Sequence, residues 1–376
     1  MAAILPPAML GILGGGQLGR MFAVAAKTMG YRVTVLDPDE AAPAAEFADR
    51  HLCAPFNDPA ALEDLAKSCA AVTTEFENVN ADAMRLLAKT TRVSPSGDCV
   101  AIAQDRIVEK AWIAKAGLPT APYLAIQSVE DIQVELAPYL PGILKTARLG
   151  YDGKGQVRVS TAAEARAAYA NLGGQPCVLE KMLDLQLEVS AIVTRVSATQ
   201  SAVFPVAENL HADGILDESI VPARIKPALA AEAQAMALRL AEALDYVGVL
   251  AVEFFVLADD SLVVNEIAPR PHNSGHYTLT ACLTDQFQQQ VRAMCGLLPG
   301  RTDLLSPVVM VNLLGDVWKD NGAQPNWDVL AEAPNAQLHL YGKKSARPGR
   351  KMGHFNVMAA TADEALDQAR ALKDTL

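Results

Sequence analysis

Residues 252–277 read VEFFVLADDSLVVNEIAPRPHNSGHY, and the fold turns on how this stretch doubles back. Apolar runs flank Asp259 and Asp260, the pattern of a β-hairpin closed by a two-residue turn. A register centred between the two aspartates sets Glu253 opposite Glu266. Opposed residues of an antiparallel pair point to the same side with Cβ atoms about 5 Å apart, where like charges repel. A cation between them resolves the repulsion. Magnesium suits the position, because it takes oxygen ligands from one or two carboxylates and completes its shell with phosphate oxygens and water. Two solvated glutamates on an exposed hairpin are the competing reading. Asn265 alternates to the other face unless a bulge intervenes, so its service as a ligand depends on a local irregularity.

Upstream of the hairpin, Pro227 opens an Ala-rich helix with Leu229, Ala233, Met236, Leu240 and Leu244 on one face, a packing stripe. Further back, residues 143–146 form a strand that carries Lys145 in an apolar setting, and RLGYDGKGQ follows at 148–156 before a strand at 157–159. Strand, glycine loop and strand make a flap able to close over phosphates, since glycine permits close backbone approach and positive φ. Lys145 can meet the α- and β-phosphates as a point charge, whereas Lys154 on the loop reads as solvated. An ordinary glycine-rich hairpin is the bland alternative, and no Walker A pattern is present. Strands at 177–183 and 187–194 can wall the same cleft.

At the N-terminal end a short apolar run enters GGGQLG, with Gly14, Gly16 and Gly19 spaced as G-x-G-x-x-G before a helical pattern. Strands follow at 31–37, ending in Asp37, and at 70–76. This alternation implies a doubly wound parallel sheet over about residues 1–100. Read alone, the loop is the dinucleotide fingerprint of an NAD-dependent dehydrogenase. Any phosphate can use the same N–H groups and helix end, and a purely structural turn remains open. Pro95-Ser96-Gly97 then punctuates the chain, and helix-like residues from about 98 to 116 end at Gly117 and Pro119.

The whole chain bounds these readings. Its 376 residues suffice for two or three domains, and 51% hydrophobic with 20% charged residues is the balance of a soluble globular enzyme. A net charge of -11 without a basic run disfavours a nucleic-acid partner. The first 19 residues are uncharged side chains, but their prolines and glycines and the lack of a basic leading segment argue against a signal peptide or membrane span. Six widely spaced cysteines without C-x-x-C argue against zinc or a disulfide framework and favour the cytoplasm.

Taken together, Lys145, the 150–156 loop, Glu180, Glu188, and Glu253 with Asn265 and Glu266 resemble the ATP-grasp ligases. Five stretches narrow the resemblance to a carboxylating branch in bacterial and fungal purine biosynthesis: GGGQLGRM at 14–21, TTEFENV at 73–79, GYDGKGQ at 150–156, NEIAPRPHNSGHYT at 265–278 and RPGRKMGH at 347–354. The resemblance implies α/β and α+β architecture: a Rossmann-like N-terminal domain over 1–100, a central ATP-grasp domain over 101–300 with a small ATP-binding subdomain at about 120–185, and a small C-terminal domain over 301–376. It also implies a homodimer, no membrane partner, and ATP-dependent carboxylation of 5-aminoimidazole ribonucleotide with bicarbonate.

By motif, the resemblance makes ATP contacts of Arg106, Lys145, Gly150, Tyr151, Asp152, Gly153, Lys154, Gly155, Gln156, Glu180, Lys181, Met182, Leu183, Glu188, His211, Asn265 and Glu266. Glu253 and Glu266 become the Mg2+ ligands. Tyr151, Asp152, Arg270 and His272 become the reacting region, where Arg270 suits bicarbonate by its planar fork, and Asp152 or His272 orients the amine or takes its proton. Lys343 and Arg350 join Arg270 and His272 as substrate contacts; Arg347, Arg350 and Lys351 read as a basic cluster for the 5'-phosphate or as a solvated turn, Gly15, Gly16 and Gln17 can share the phosphate, and Glu75 and Asn78, at the end of a Rossmann-type strand, read as substrate contacts or as a structural cap. The doubling of Lys343 and Lys344 leaves open which lysine reaches it. A formate-dependent glycinamide ribonucleotide transformylase would share the acyl-phosphate chemistry, and a non-catalytic nucleotide-binding module would share the pocket.

Overall fold

The computed structural model describes residues 2–150, 155–318 and 323–376. In the N-terminal part, five parallel strands stand in the order Arg50–Leu52, Arg32–Leu36, Met9–Leu13, Ala71–Thr74, Arg92–Val93. Chain direction across the sheet reverses beside Met9–Leu13, so the glycine loop and the segment after Ala71–Thr74 meet at the switch point where such sheets gather ligands. The helix Gln17–Thr28 buries Met21, Phe22 and Ala25 together with Phe287, Val291 and Met294 of the helix Gln286–Cys295, which ties this sheet to the centre of the molecule.

The expected helix over 98–116 is two helices, Gly97–Ala103 and Arg106–Lys115. Asp105 starts the second one anew, its carboxylate accepting from the N–H groups of Ile107 and Val108, which satisfies donors that a continuous helix would have used internally.

A four-stranded antiparallel sheet follows, ordered Tyr123–Ile126, Cys177–Lys181, Gly142–Thr146, Gln156–Val159, with the helix Ala162–Asn171 on its apolar side. The remaining strands form one nine-stranded sheet. It runs from Leu262–Ala268 and Gly248–Leu257 through Leu185–Ser197, Ala207–Ala212 and Ile215–Val221 to Val308–Leu314, Lys351–Met358 and Ala336–Leu340, with Gln200–Val203 as a ninth strand paired to Leu185–Ser197 off this path. The C-terminal strands therefore extend the central sheet by hydrogen bonds. The helix Pro227–Ala243 packs beneath it on Leu229, Ala233, Met236 and Leu240, the stripe read from the sequence.

The decisive hairpin closes through three residues, not two. Leu257 and Ser261 pair across Ala258, Asp259 and Asp260, and Asp260 takes φ +62°. That odd residue shifts the register by one, and a bulge on the second strand at Asn265 shifts it back: Phe254 faces Val264, yet Glu253 faces Glu266.

Candidate active site

Glu253 and Glu266 look into a cleft of about 780 Å³ between the two antiparallel sheets. Lys145 and Gln156 line it from the small sheet with Gly150 on the loop between their strands, Glu188, His211 and Asn265 from the large one, and Arg106, Asn78, Arg270 and His272 from the remaining sides. Tyr151, Asp152, Gly153 and Lys154 lie outside the described residues. Gly155 takes φ +71°, and its carbonyl accepts from the Thr146 N–H at 2.8 Å, closing the base of the loop.

The cleft is electrostatically cross-braced. Arg106 Nη1 donates to Glu266 Oε2 at 2.9 Å, and His272 Nε2 lies 3.2 Å from Glu253 Oε1. Burial drives both carboxyls upward. For Glu266 the Arg106 guanidinium, aided by Lys145, outweighs burial and leaves it below the ordinary value. Glu253 lacks such a partner, and burial followed by the Glu266 charge holds it well above the carboxylate range. Asn265 Oδ1 is buried and has no hydrogen-bond partner among the described residues. Two facing carboxylates and an orphaned amide oxygen are hard oxygen donors in excess of local positive charge, a set that fits Mg2+ shared with phosphates. Among the described residues no group of three or more His, Cys, Asp or Glu could hold a metal.

Glu180 stands behind the cleft wall. Its carboxylate receives Lys145 Nζ at 3.0 Å and Lys110 Nζ at 3.2 Å, so it aims Lys145. Lys181 and Met182 anchor the strand end through backbone bonds to Pro122 and Pro141, and with Leu183 they lie outside the cleft lining. Glu188 Oε2 pairs with His211 Nδ1 at 3.0 Å; burial lowers that imidazole, but Glu188 brings it above its ordinary value.

Glu109, Lys110 and Glu77, which the sequence reading did not select, shape this site alongside Arg106, which it did. Arg106, Glu109 and Lys110 fall at i, i+3 and i+4 on one helix face. Glu109 Oε1 accepts the Ile267 N–H at 2.6 Å, and Lys110 Nζ reaches the Asn265 carbonyl at 3.4 Å. Together with Arg106 they grip Glu266 by its side chain and by the backbone on either side, which holds the bulge. Burial and the Glu266 charge push the Glu109 carboxyl to about 8. That helix-face spacing of three charges before an apolar stretch was the available signal. Glu77, two residues beyond Glu75, pairs with Arg270 Nε; burial raises Glu77, but Arg270 brings it down to about 2.

The glycine loop is occupied differently. Gly15 N–H donates to Asp37 Oδ2 at 2.7 Å, and Gly16 and Gly19 N–H donate to the two oxygens of Glu75 at 2.7 and 2.6 Å. A Cβ on Gly14 would lie 2.3 Å from Glu75 Cγ, and one on Gly16 2.6 Å from Glu75 Oε1. Glycine is thus required by a protein carboxylate that occupies the anion position at the helix end. Beside it, Lys343 Nζ reaches Gln17 Oε1 at 3.4 Å and the Lys351 carbonyl at 2.5 Å. Arg350 holds Ser345 through its carbonyl and hydroxyl, both at 2.8 Å, and neither Arg350 nor Lys343 lines the main cleft, whereas Lys351 does.

Comparison with known proteins is uniform along the chain. Residues 8–104 match the ribonucleotide synthetase preATP-grasp domain, 111–287 the ATP-grasp domain, and 308–368 the phosphoribosylaminoimidazole carboxylase C-terminal domain. The N5-carboxyaminoimidazole ribonucleotide synthase of Bacillus subtilis is 44% identical over 96% of this chain and 94% of its own length. Its counterpart from Brucella melitensis is 46% identical over 94% and 96%. A crystal structure of an N5-carboxyaminoimidazole ribonucleotide synthetase in complex with ADP superposes with a TM-score of 0.91 at 44% identity, covering 98% of this chain and 97% of that one. The Aspergillus clavatus N5-carboxyaminoimidazole synthase in complex with ADP and 5-aminoimidazole ribonucleotide gives 0.89 at 33% identity, with 98% of each chain covered.

Proposed function

Because the chain belongs to the N5-carboxyaminoimidazole ribonucleotide synthase family of ATP-grasp ligases, we propose that it joins bicarbonate to 5-aminoimidazole ribonucleotide at the expense of ATP. The products are the N5-carboxylated ribonucleotide, ADP and phosphate, in purine biosynthesis. The observation that carries the reading is the in-register pair Glu253 and Glu266 facing Lys145 across one cleft.

Bicarbonate is a poor electrophile, so its oxygen first attacks the γ-phosphorus of ATP to give carboxyphosphate and ADP. The exocyclic amine then attacks the activated carbon, phosphate leaves, and the amine loses a proton. Phosphoryl transfer asks the protein mainly for positioning and charge neutralisation. Magnesium held by Glu253 and Glu266, with Asn265 beside them, supplies neutralisation on the phosphates when ATP is bound. Lys145, aimed by Glu180, meets the phosphates from the opposite wall, and Arg106 keeps Glu266 ionised and oriented. Arg270, already fixed by Glu77, presents the rest of its fork to bicarbonate.

We assign Tyr151 and Asp152 to the amine side of the reaction. The ATP set comprises Gly150, Gly153, Lys154, Gly155, Gln156, Glu188 and His211 with the residues just named, and Lys181, Met182 and Leu183 at the strand end. The ribonucleotide falls to Gln17 and Lys343 beside the glycine loop, where Gly15, Gly16 and Glu75 form the floor, with Asn78 on the cleft wall and Arg350 on the C-terminal loop that holds Ser345. We also assign the protein to a homodimer in the cytoplasm. Exposed Leu283 and Leu305 beside the Cys282–Leu304 bridge supply apolar surface for a second copy, and no helix among the described residues is long and apolar enough to cross a membrane.

The test is ADP release by the purified chain. It should require 5-aminoimidazole ribonucleotide and bicarbonate together. ADP release with glycinamide ribonucleotide and formate instead would replace this assignment with the transformylase.

A further inference from the structure

His272 sits at the end of a line of buried polar side chains that none of the steps above uses. Ser219 Oγ donates to Asn209 Oδ1 at 2.8 Å, Asn209 Nδ2 to Ser190 Oγ at 3.0 Å, and Ser190 Oγ to Ser274 Oγ at 2.7 Å. Ser274 Oγ then meets His272 Nδ1 at 2.9 Å, and the opposite ring nitrogen faces Glu253. All four relay residues are at most 3% exposed, on three neighbouring strands and the loop that carries His272. Gln286 pins that loop, accepting from the His272 N–H and donating to its carbonyl, both at 2.8 Å.

The direction of this line has a chemical consequence. A neutral imidazole carries one N–H, and the tautomer follows from what its two nitrogens face. The backbone N–H of Ser274 also points at Nδ1, but at 3.4 Å it is too weak to fix the ring without the Ser274 hydroxyl at 2.9 Å. The amide orientation of Asn209 drives the hydroxyl protons the same way. Nδ1 must therefore accept, and the single ring proton lies on Nε2. This holds whether Glu253 is ionised or protonated. A doubly protonated ring would set its Nδ1–H against the Ser274 N–H.

We propose that Ser219, Asn209, Ser190 and Ser274 form a one-directional relay that fixes His272 as its Nε2–H tautomer. The ring then donates toward Glu253 and the cleft, and does not accept the proton lost by the reacting amine. The four relay residues are positioning residues that act through His272, and the consequence for the amine rests on the ligase assignment above. Outer partners of this kind typically change activity 10- to 100-fold when removed, by about the same logic that orients metal-bound histidines.

The experiment is 15N NMR of the histidine rings in the full-length protein, which has six histidines, with His272→Gln to identify the signals of this ring. The wild type should show Nε2 protonated and Nδ1 bare. Asn209→Asp leaves only acceptors at that link, turns the Ser190 hydroxyl away from Ser274, and should raise the Nδ1–H population. Ser274→Ala, the variant that buries no new charge, should give averaged ring signals and a roughly tenfold lower kcat with KM for ATP unchanged. An Nδ1–H or doubly protonated wild-type ring, or folded variants that both keep the wild-type pattern, would overturn the relay. A wild type with the Nε2–H ring but no ADP release would instead remove the ligase assignment and leave the tautomer standing.

Discussion

The metal-side hairpin and the N-terminal glycine loop both gather carboxylates at a ligand-prone place, yet they hold them differently. In the hairpin, Glu253 and Glu266 face one another across a cleft, and burial followed by the Glu266 charge pushes Glu253 well above the carboxylate range. In the loop, Glu75 and Asp37 accept from the N–H groups of Gly15, Gly16 and Gly19 at the helix end, although burial still pushes the Glu75 carboxyl above its ordinary value. One place is unfinished without a ligand and the other is complete within the chain. The glycines at 14 and 16 are explained by the side chain they admit, without any dinucleotide.

The largest effect should come from the unfinished side. Glu266→Gln is expected to reduce kcat on the order of a thousandfold while thermal unfolding stays within a few degrees, because a preorganised electrostatic contact is lost and packing is kept. Unchanged turnover would place phosphate neutralisation elsewhere. Next in size, Lys110→Met strips one cation from buried Glu180 and releases the Asn265 carbonyl, so chemical denaturation should show a loss of about 3 kcal/mol. Lys110 with a merely peripheral role would give almost none.

On the complete side, Glu75→Ala orphans two N–H groups at a helix start and should lower stability by about 2 kcal/mol, read in the same denaturation assay. A raised KM for the ribonucleotide with no stability loss would make Glu75 a ligand-binding group and dissolve the contrast. The smallest effect concerns His211 and Glu188. Their pairing raises the folded imidazole above 6.5, so its stabilisation is complete below that pH and fades as pH rises through the folded value. Glu188→Gln should remove this alkaline decline, a change of about 0.5 kcal/mol in melts taken on both sides of neutrality.

Much of this contrast was legible in the sequence, and its limits have physical causes. Alternating strands and helices gave the parallel sheet, and Pro227 with its apolar stripe gave the long helix. The pairing of Glu253 with Glu266 was reached from a two-residue turn, whereas the chain uses three residues and a compensating bulge. Turn length and bulge trade against each other without altering hydrophobic pattern, so periodicity is blind to both. Lys110 and Glu109 escaped notice because adjacent opposite charges on a helix ordinarily face solvent, and only tertiary packing buries them. The glycine loop misled in the other direction, since a motif records that an anion is close but not whether the chain supplies it.

The most direct measurement is calorimetric binding of ADP with and without Mg2+, to the wild type and to Glu253→Gln. The hairpin account predicts that Mg2+ tightens ADP binding to the wild type by roughly tenfold or more, and that the variant, folded and still binding ADP, loses this magnesium dependence. Equal magnesium dependence in both proteins would contradict a metal held between Glu253 and Glu266.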